Sequence, residues 1–208
     1  MDSLSLRIQQ KVAEGVSTLK SGGVVAFPTD TVYSLGCDIY NREAVARLYQ
    51  LKGRPRRKAL PLLLAGVEQI DEVALSVPEV ARRLAVKFMP GALTLVLKKR
   101  TSVPDIITAG GDTIALRVPA HPIPLALVRG LGMPITGTSA NLSGRPSALT
   151  AGEVRSQFGS RVDLVIDGGR VTGGTESTIV DVSGDIPVIL REGAISRAEL
   201  ALVCRQLA

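Results

Sequence analysis

Short apolar runs alternate with segments of helical periodicity along this chain, and the alternation limits the folds open to it. Residues 5–20 carry apolar side chains at helical spacing, and residues 24–27 then form an apolar run that stops at Pro28. Further strand-like runs are residues 60–65, 93–97, 113–118, 134–137, 163–166, 178–182 and 188–190, and further helical segments are residues 41–51, 80–89 and 123–131. Because the two patterns interleave and several strands crowd toward the C-terminal end, we predict an α/β fold with an open, twisted, mixed sheet and flanking helices.

Three helix starts are marked by residues that can cap free backbone amides. Asn41 precedes the second helical segment and is a favoured N-cap. Thr150-Ala-Gly-Glu153 and Ser196-Arg-Ala-Glu199 both fit the capping box, in which a hydroxyl and a carboxylate satisfy amides at the helix start. These two motifs predict further helices in the last third of the chain.

The length and composition fit one large domain over residues 1–208. Only 3% of the residues are aromatic, so Val, Leu, Ile and Ala must build the core. No apolar run approaches the roughly 18–20 residues that cross a bilayer, and the first residues lack the basic and apolar stretches of a signal peptide. We therefore expect a cytoplasmic protein with no membrane association.

The two cysteines and the single histidine offer little metal or redox chemistry. Cys37 and Cys204 are far apart in apolar settings, which favours buried free thiols in a reducing cytosol over a disulfide or a metal pair. His121 cannot form a His-rich site alone, and a capping or packing role is favoured over catalysis. The sequence therefore predicts no protein metal site.

The net charge of +6 is unevenly distributed. Residues 1–104 hold 16 Lys or Arg against 9 Asp or Glu, and the excess concentrates in Lys52-Gly-Arg-Pro-Arg-Arg-Lys58. A concentrated positive field attracts the phosphates of a nucleotide or a nucleic acid, although many such clusters are solvated loops. In an extended segment Lys52, Arg54 and Arg56 would converge on one anion, because residues two apart point to the same side.

A polar stretch near residue 140 is the strongest candidate ligand site. Six side chains that form hydrogen bonds fall within twelve residues: Thr136, Thr138, Ser139, Asn141, Ser143 and Ser147. If such groups are buried they need partners, and a polar ligand is a suitable one. The alternative is a Gly- and Pro-rich loop that satisfies only itself.

Other polar residues flank predicted strands, where α/β proteins often bind ligands. Thr31 follows the first strand, within a Pro-Thr-Asp segment that would otherwise be a simple turn. Arg117 lies in an apolar strand, where a charge needs either an anion or an internal salt bridge. Ser177 begins one strand and Arg191 closes another, so both are expected at the same sheet end. The standard phosphate-binding glycine motifs are missing.

Together these segments resemble the YrdC/Sua5 family of threonylcarbamoyl-AMP synthases. The matching pieces are Pro28-Thr-Asp-Thr-Val-Tyr, Lys52-Gly-Arg-Pro, Pro90-Gly-Ala-Leu-Thr, Arg117-Val-Pro-Ala-His, Thr138-Ser-Ala-Asn-Leu-Ser-Gly, Ser177-Thr-Ile-Val-Asp and Arg191-Glu-Gly. The resemblance implies a single YrdC-like domain of the short form, with its sheet around a large basic cavity. It also implies that L-threonine, bicarbonate or CO2, and ATP give threonylcarbamoyl-AMP and pyrophosphate. The product would pass to a threonylcarbamoyl-transferase complex that forms t6A at position 37 of tRNA.

The resemblance also assigns residues to ligands. It places threonine against Thr31, Arg117, Gly137 and Ser177. It places the nucleotide against Lys52, Arg56, Thr113, Ser139, Asn141, Ser147 and Arg191, and it leaves Arg54 to hold either anion. Lys52 and Arg54 are the catalytic candidates, and Mg²⁺ would arrive with ATP and bind mainly to phosphate oxygens and water.

The sequence departs from the family pattern at three points. Ser34 replaces a usual Gly, Ala92 replaces a frequent Pro, and the segment after Lys58 lacks a histidine that some members carry. Four alternatives to the synthase stay open: a module that binds tRNA or double-stranded RNA, a YciO-like paralogue, a hydrogenase-maturation carbamoyltransferase activity, and a serine hydrolase built on Ser139. Few aromatic residues are available for base stacking, and the hydrolase elbow lacks its second glycine.

Overall fold

The computed structural model describes residues 4–204 and 206–208. Its helices are α1 (Leu6–Lys20), α2 (Arg42–Lys52), α3 (Ile70–Val73), α4 (Glu79–Phe88), α5 (Asp105–Thr108), α6 (Pro122–Leu131), α7 (Ala151–Phe158) and α8 (Arg197–Ala201), with 3-10 turns at Val67–Gln69 and Gly159–Arg161. Its strands are β1 (Val25–Pro28), β2 (Tyr33–Gly36), β3 (Leu62–Leu63), β4 (Leu93–Lys98), β5 (Thr113–Arg117), β6 (Ile135–Thr136), β7 (Thr138–Ser139), β8 (Leu164–Val165), β9 (Thr178–Asp181) and β10 (Val188–Arg191).

The strands form two mixed sheets. The four-stranded sheet has the order β7-β2-β1-β8, in which β8 is parallel to β1 and the other pairs are antiparallel. The six-stranded sheet has the order β10-β9-β4-β5-β3-β6 and alternates antiparallel and parallel neighbours. The mixed α/β class that the sequence predicts is therefore confirmed, with the strands divided between two sheets.

Gly137 is the point where the chain passes from one sheet to the other. It separates β6, at the edge of the six-stranded sheet, from β7, at the edge of the four-stranded sheet. Its amide donates to the carbonyl of Pro61 at 2.9 Å. A Cβ at this position would lie 2.3 Å from Cγ of Leu63. Only glycine allows this close approach, so the residue fixes how the two sheets meet.

Aliphatic side chains build the core, as the composition predicts. Helix α1 turns Ile8, Val12 and Val16 toward a buried cluster that includes Leu127 of α6 and Phe27 of β1. A larger cluster fills the space around the six-stranded sheet and α2. Each fully buried aliphatic side chain contributes about 1.5–3 kcal/mol by leaving water, so the clusters hold the helices against the sheets.

The cap predictions are largely confirmed. Asn41 accepts the amide of Ala44, and Ser196 and Glu199 form the complete reciprocal capping box. Thr150 accepts the amide of Glu153, but the Glu153 carboxylate accepts the amide of Leu149 instead of the cap residue's own. This second box is therefore only half formed.

His121 and the two cysteines also lie as expected. The Nδ1 atom of His121 accepts the amide of Ile123, so the side chain caps α6. Cys37 and Cys204 are buried free thiols, and burial raises the pKa of Cys37 to about 12. Within residues 4–204 and 206–208, none of the helices has the length and apolar character needed to cross a bilayer.

The sequence patterns missed β2, β7, α3 and α5. Strand β2 includes Ser34 and Gly36, which are not typical of a buried strand, yet it pairs with β1 as a hairpin. The hairpin turn is closed by Thr29, whose hydroxyl donates to the carbonyl of Val32 at 2.7 Å and accepts the Val32 amide. The Pro-Thr-Asp segment is therefore a turn, but it does not stabilise only itself, because Asp30 and Thr31 also contact Arg117.

Candidate functional site

Strands of both sheets line a cavity of about 440 Å³. The six-stranded sheet contributes from β3, β4, β5, β9 and β10, and the four-stranded sheet contributes from β2 and β7. Nine of the twelve residues that the resemblance assigns to ligands line this one space: Thr31, Lys52, Arg54, Arg117, Gly137, Ser139, Asn141, Ser177 and Arg191. Segments that are distant in the chain are therefore brought together.

The other three residues assigned to ligands lie outside the cavity lining. Arg56 is exposed, because the segment turns at Pro55–Lys58, where the Lys58 amide donates to the Pro55 carbonyl at 2.9 Å. The expected convergence of three cations is therefore wrong for Arg56, since the segment is not extended. Thr113 is at the start of β5, two residues before the lining residue Ala115. Ser147 contacts the lining through its hydroxyl, which donates to the carboxylate of Glu176.

Lys52 is the last residue of α2 and is 2% exposed. Its Nζ donates to the carbonyl of Ser139, and to the carbonyl and side-chain oxygens of Asn141 at 2.9 and 3.3 Å. Burial lowers the pKa of Lys52 to about 7, helped by the charge of Arg54 and opposed by that of Glu176. The amine is thus held at the cavity wall by carbonyl and amide oxygens, and no carboxylate of the described residues contacts it.

The Ser139-Ala-Asn141 turn that receives Lys52 is itself tightly bonded. The Ser139 hydroxyl donates to Oδ1 of Asn141 at 2.6 Å. The Asn141 amide group donates to the carbonyls of Leu142 at 3.0 Å and Arg145 at 2.7 Å. These bonds fix both side chains in the lining, so the turn serves as a rigid scaffold for the amine of Lys52.

Arg54 orders the basic loop that follows α2. Gly53 has a φ of 58°, a left-handed conformation that lets the chain reverse after Lys52. The guanidinium of Arg54 then donates to the carbonyls of Lys58 at 3.1 Å and Ala59 at 2.6 Å. Its side chain therefore closes the loop on itself while still lining the cavity.

Arg117 forms the internal salt bridge that was one of its two predicted environments. Its Nη2 lies 2.7 Å from Oδ1 of Asp30, its Nη1 donates to the Thr31 hydroxyl at 2.8 Å, and its Nε donates to the Gly91 carbonyl at 2.8 Å. The contact with Asp30 is poorly aligned as a hydrogen bond, so Nη2 is buried without an aligned acceptor. Burial lowers the pKa of Arg117, and the nearby charge of Arg191 acts in the same direction. An anion between the two guanidinium groups would relieve that repulsion.

Arg191 lines the cavity at the end of β10. Its Nη1 pairs with the Glu176 carboxylate, and its Nε and Nη2 donate to the Ser177 carbonyl at 3.0 and 2.8 Å. The Ser177 hydroxyl shares a 2.8 Å hydrogen bond with that of Thr94. The other Glu176 oxygen accepts from the Ser147 hydroxyl at 2.9 Å. The expectation that Ser177 and Arg191 share a sheet end is confirmed.

Asp30, Thr94 and Glu176 complete the site, although none was assigned to a ligand from the sequence. Asp30 adjoins Thr31, and Glu176 adjoins Ser177, so proximity to these candidates was the available signal. Glu176 is the one acidic residue among the described lining residues, against five basic ones: Lys52, Arg54, Lys58, Arg117 and Arg191. The excess of positive charge attracts anionic ligands. Across the described residues, the His, Cys, Asp and Glu side chains form no cluster of three suited to a metal ion.

Comparison with known proteins agrees with the earlier resemblance. A family model for Sua5, yciO and yrdC sequences, described as "Telomere recombination", matches residues 17–193. A Bacillus subtilis threonylcarbamoyl-AMP synthase is 41% identical over 203 residues, which are 97% of this chain and 58% of that protein. A Mycobacterium tuberculosis protein named putative threonylcarbamoyl-AMP synthase is 38% identical over 92% of this chain and 88% of its own length.

A solved structure supports the same relationship. The crystal structure of Pyrococcus abyssi Sua5 complexed with L-threonine superposes with a TM-score of 0.93 at 40% identity, over 96% of this chain and 59% of that one. The chain thus spans less than two thirds of the length of the Bacillus and Pyrococcus proteins. Because the family model covers most of the sequence, the chain belongs to the Sua5/yciO/yrdC family.

Proposed function

We propose that this chain is a threonylcarbamoyl-AMP synthase, which converts L-threonine, bicarbonate or CO2, and ATP to threonylcarbamoyl-AMP and pyrophosphate. The observation that carries the proposal is that Arg117, Thr31, Lys52 and Arg191 line one cavity. An amino acid and a nucleoside triphosphate both need cationic partners, and this lining offers several of them. The names of the Bacillus and Mycobacterium relatives support the same activity.

In this proposal threonine binds at the Arg117 end of the cavity. The guanidinium of Arg117 suits a carboxylate, and the hydroxyls of Thr31 and Ser177 suit the polar groups of the amino acid. Gly137 presents backbone there, and Leu63 covers it from the six-stranded sheet. The threonine in the Pyrococcus abyssi complex supports an amino-acid site in this fold.

ATP binds at the Lys52 and Arg191 end. These two cations neutralise the phosphates, and Ser139, Asn141 and Ser147 offer hydrogen bonds to the nucleotide. Arg56 and Thr113 are nucleotide contacts only by resemblance, and they join the site if the ligand extends beyond the cavity lining. Mg²⁺ enters with ATP and is held mainly by phosphate oxygens and water.

The chemistry needs proximity and charge neutralisation more than an enzyme nucleophile. The threonine nitrogen attacks CO2 and loses a proton, which gives a carbamate. A carbamate oxygen then attacks the α-phosphorus, and the bond to the departing pyrophosphate breaks. Lys52 and Arg54 act as the catalytic residues by stabilising the negative charge that develops on the phosphates. Alignment of the reactants supplies ~7–11 kcal/mol of the barrier reduction.

The product is a reactive adenylate that a second enzyme must consume. We propose that it passes to the threonylcarbamoyl-transferase complex that makes t6A at position 37 of tRNA, in the cytoplasm. Direct contact with tRNA or double-stranded RNA is part of this proposal and rests on the basic loop, where Arg56 and Arg57 are exposed.

One assay tests the synthase activity directly. Purified protein with ATP, Mg²⁺, L-threonine and labelled bicarbonate is expected to release pyrophosphate and form a labelled adenylate. Lys52→Ala and Arg54→Ala are expected to abolish both products, whereas Glu72→Gln, an exposed site outside the cavity, is expected to retain them. A wild-type protein that binds ATP and threonine but forms no labelled adenylate would favour a YciO-like paralogue. Salt-dependent RNA binding without turnover would favour the RNA-binding module.

A further inference from the structure

Glu176 is an unusual residue for this cavity, because it places a carboxylate where the surrounding residues are suited to bind an anion. One carboxylate oxygen accepts from the Ser147 hydroxyl at 2.9 Å, and the other pairs with Nη1 of Arg191. Arg191 and Ser147 are both proposed ligands of the nucleotide. A hydroxyl and a guanidinium that converge on two oxygens form the kind of site that also binds a phosphate.

The charge of Glu176 also reaches the other cations of the cavity. Burial lowers the pKa of Lys52 and of Arg54, and the Glu176 carboxylate opposes both shifts by attraction. The side chain is 37% exposed and its partner Arg191 is 40% exposed. An ion pair with that much access to water contributes little to stability, so it exchanges readily for a better partner.

We propose that the Glu176 carboxylate is a resident counter-anion, which occupies one anion position of the cavity and is displaced when a polyphosphate binds there. Without a ligand, Glu176 holds Arg191 and Ser147 in the geometry that a phosphate then takes over. Glu176 is therefore a positioning residue that also competes with the ligand. This inference rests on the proposed function for its natural ligand, the phosphates of ATP, but it is tested without turnover.

The test measures binding of inorganic pyrophosphate by titration calorimetry, without threonine or ATP. Glu176→Gln keeps the shape of the side chain and removes its charge, so the dissociation constant is expected to fall by about tenfold. The matched control is Glu72→Gln, which changes the net charge equally at an exposed position outside the cavity and is expected to bind like wild type. Unchanged or weaker binding by Glu176→Gln, with or without Mg²⁺, would overturn the proposal. If the weakening appeared only with Mg²⁺, the result would also assign the carboxylate to the metal that accompanies the phosphates.

A second measurement separates competition from a structural role. Glu176→Ala removes the carboxylate, so added acetate is expected to fill the vacated position and to raise the apparent dissociation constant of pyrophosphate. Acetate is expected to have no such effect on wild type, where the position is filled. Equal effects of acetate on both proteins would contradict displacement. Because neither measurement needs catalysis, a protein that lacked synthase activity could still pass both.

Discussion

Arg117 and Arg191 line the same cavity and each pairs with a carboxylate, but at very different depths. The side chains of Arg117 and Asp30 are 8% and 18% exposed, whereas those of Arg191 and Glu176 are 40% and 37% exposed. Asp30 is also fixed by the Ala120 amide, which donates to its Oδ1 at 3.0 Å. The Glu176 carboxylate has only side-chain partners among the described hydrogen bonds.

The difference in depth gives the two pairs different uses. A buried pair is costly to break, because removal of one partner leaves an unpaired charge in a poorly solvated place. A half-exposed pair can dissociate into water with little change in free energy. The site around Arg117 is therefore preformed. The ion pair of Arg191 can be exchanged for a ligand.

The largest expected effect comes from breaking the buried pair. Arg117→Ala leaves Asp30 without its cation and should lower the free energy of unfolding by about 3–5 kcal/mol, as well as abolish threonine-dependent pyrophosphate release. Urea denaturation measures the first effect and a pyrophosphate assay measures the second. The double variant that combines Arg117→Ala with Asp30→Asn should recover part of the lost free energy of unfolding but none of the activity. A stability loss below about 1 kcal/mol in the single variant would show that the pair is not the structural element argued here.

Arg191→Ala should behave in the opposite way. The free energy of unfolding should change by less than about 1 kcal/mol, because the pair is half exposed. Binding of ATP should weaken by about tenfold or more, since a charge-assisted contact to phosphate is lost. Calorimetric titration with ATP and denaturation of the same samples give both values. If Arg191→Ala destabilised the fold as strongly as Arg117→Ala, burial would not explain the contrast between the two ends.

The sequence predicted the arginines better than their partners, and the reason is physical. A charge within an apolar strand is costly unless it is paired, so Arg117 was recognisable from its neighbours alone. Asp30 and Glu176 lie 87 and 15 positions away from their arginines along the chain, and only the fold brings them into contact. Lys52 and Arg54 both line the cavity, but Arg56 does not, because Gly53 and the turn at Pro55–Lys58 interrupt the extended geometry that the spacing argument assumed.

Most of the fold was predictable for a similar reason. Long segments such as α1 and α4 have a clear helical period, and Thr178–Asp181 and Leu93–Lys98 read as strands because apolar residues dominate them. Two-residue strands such as β7 carry no period of their own. They exist because Ser139 and Thr138 pair with β2 after Gly137 lets the chain cross between the sheets, which is a tertiary effect.

Lys52 is a third cation of the cavity lining. It is buried, and its Nζ contacts carbonyl and amide oxygens. Its pKa is about 7 in the folded protein against an ordinary 10.5, with burial as the main cause. Below pH 7 the amine is charged in both the folded and unfolded chains, so the burial penalty is fully present. Between pH 7 and 10.5 the unfolded chain binds more protons, so the contribution of Lys52 to the free energy of unfolding should rise with pH.

The measurement compares wild type with Lys52→Met by urea denaturation from pH 7 to 8.5; both proteins carry the same cysteines and tyrosines, so the ionisation of those groups cancels in the comparison. The wild-type free energy of unfolding should increase relative to that of Lys52→Met across this window. Parallel curves would mean that the carbonyl oxygens of Ser139 and Asn141 keep the amine charged despite its burial. That result would place Lys52 with Arg117, as a permanently charged part of the preformed site.

The smallest expected effect concerns the turn that holds Lys52. Ser139→Ala removes the hydroxyl that donates to Oδ1 of Asn141 at 2.6 Å. A single hydrogen bond between uncharged groups contributes about 0.5–1.5 kcal/mol. ATP binding should therefore weaken by several-fold, about 2- to 12-fold at the stated energies, with little change in threonine binding. Calorimetric titration with each ligand tests this, and Ser143→Ala, in a lining residue whose side chain has no hydrogen bond among the described contacts, is the matched control. Wild-type ATP affinity in Ser139→Ala would show that the backbone of the turn, through its carbonyl contacts with Lys52, is sufficient to organise the nucleotide end of the cavity.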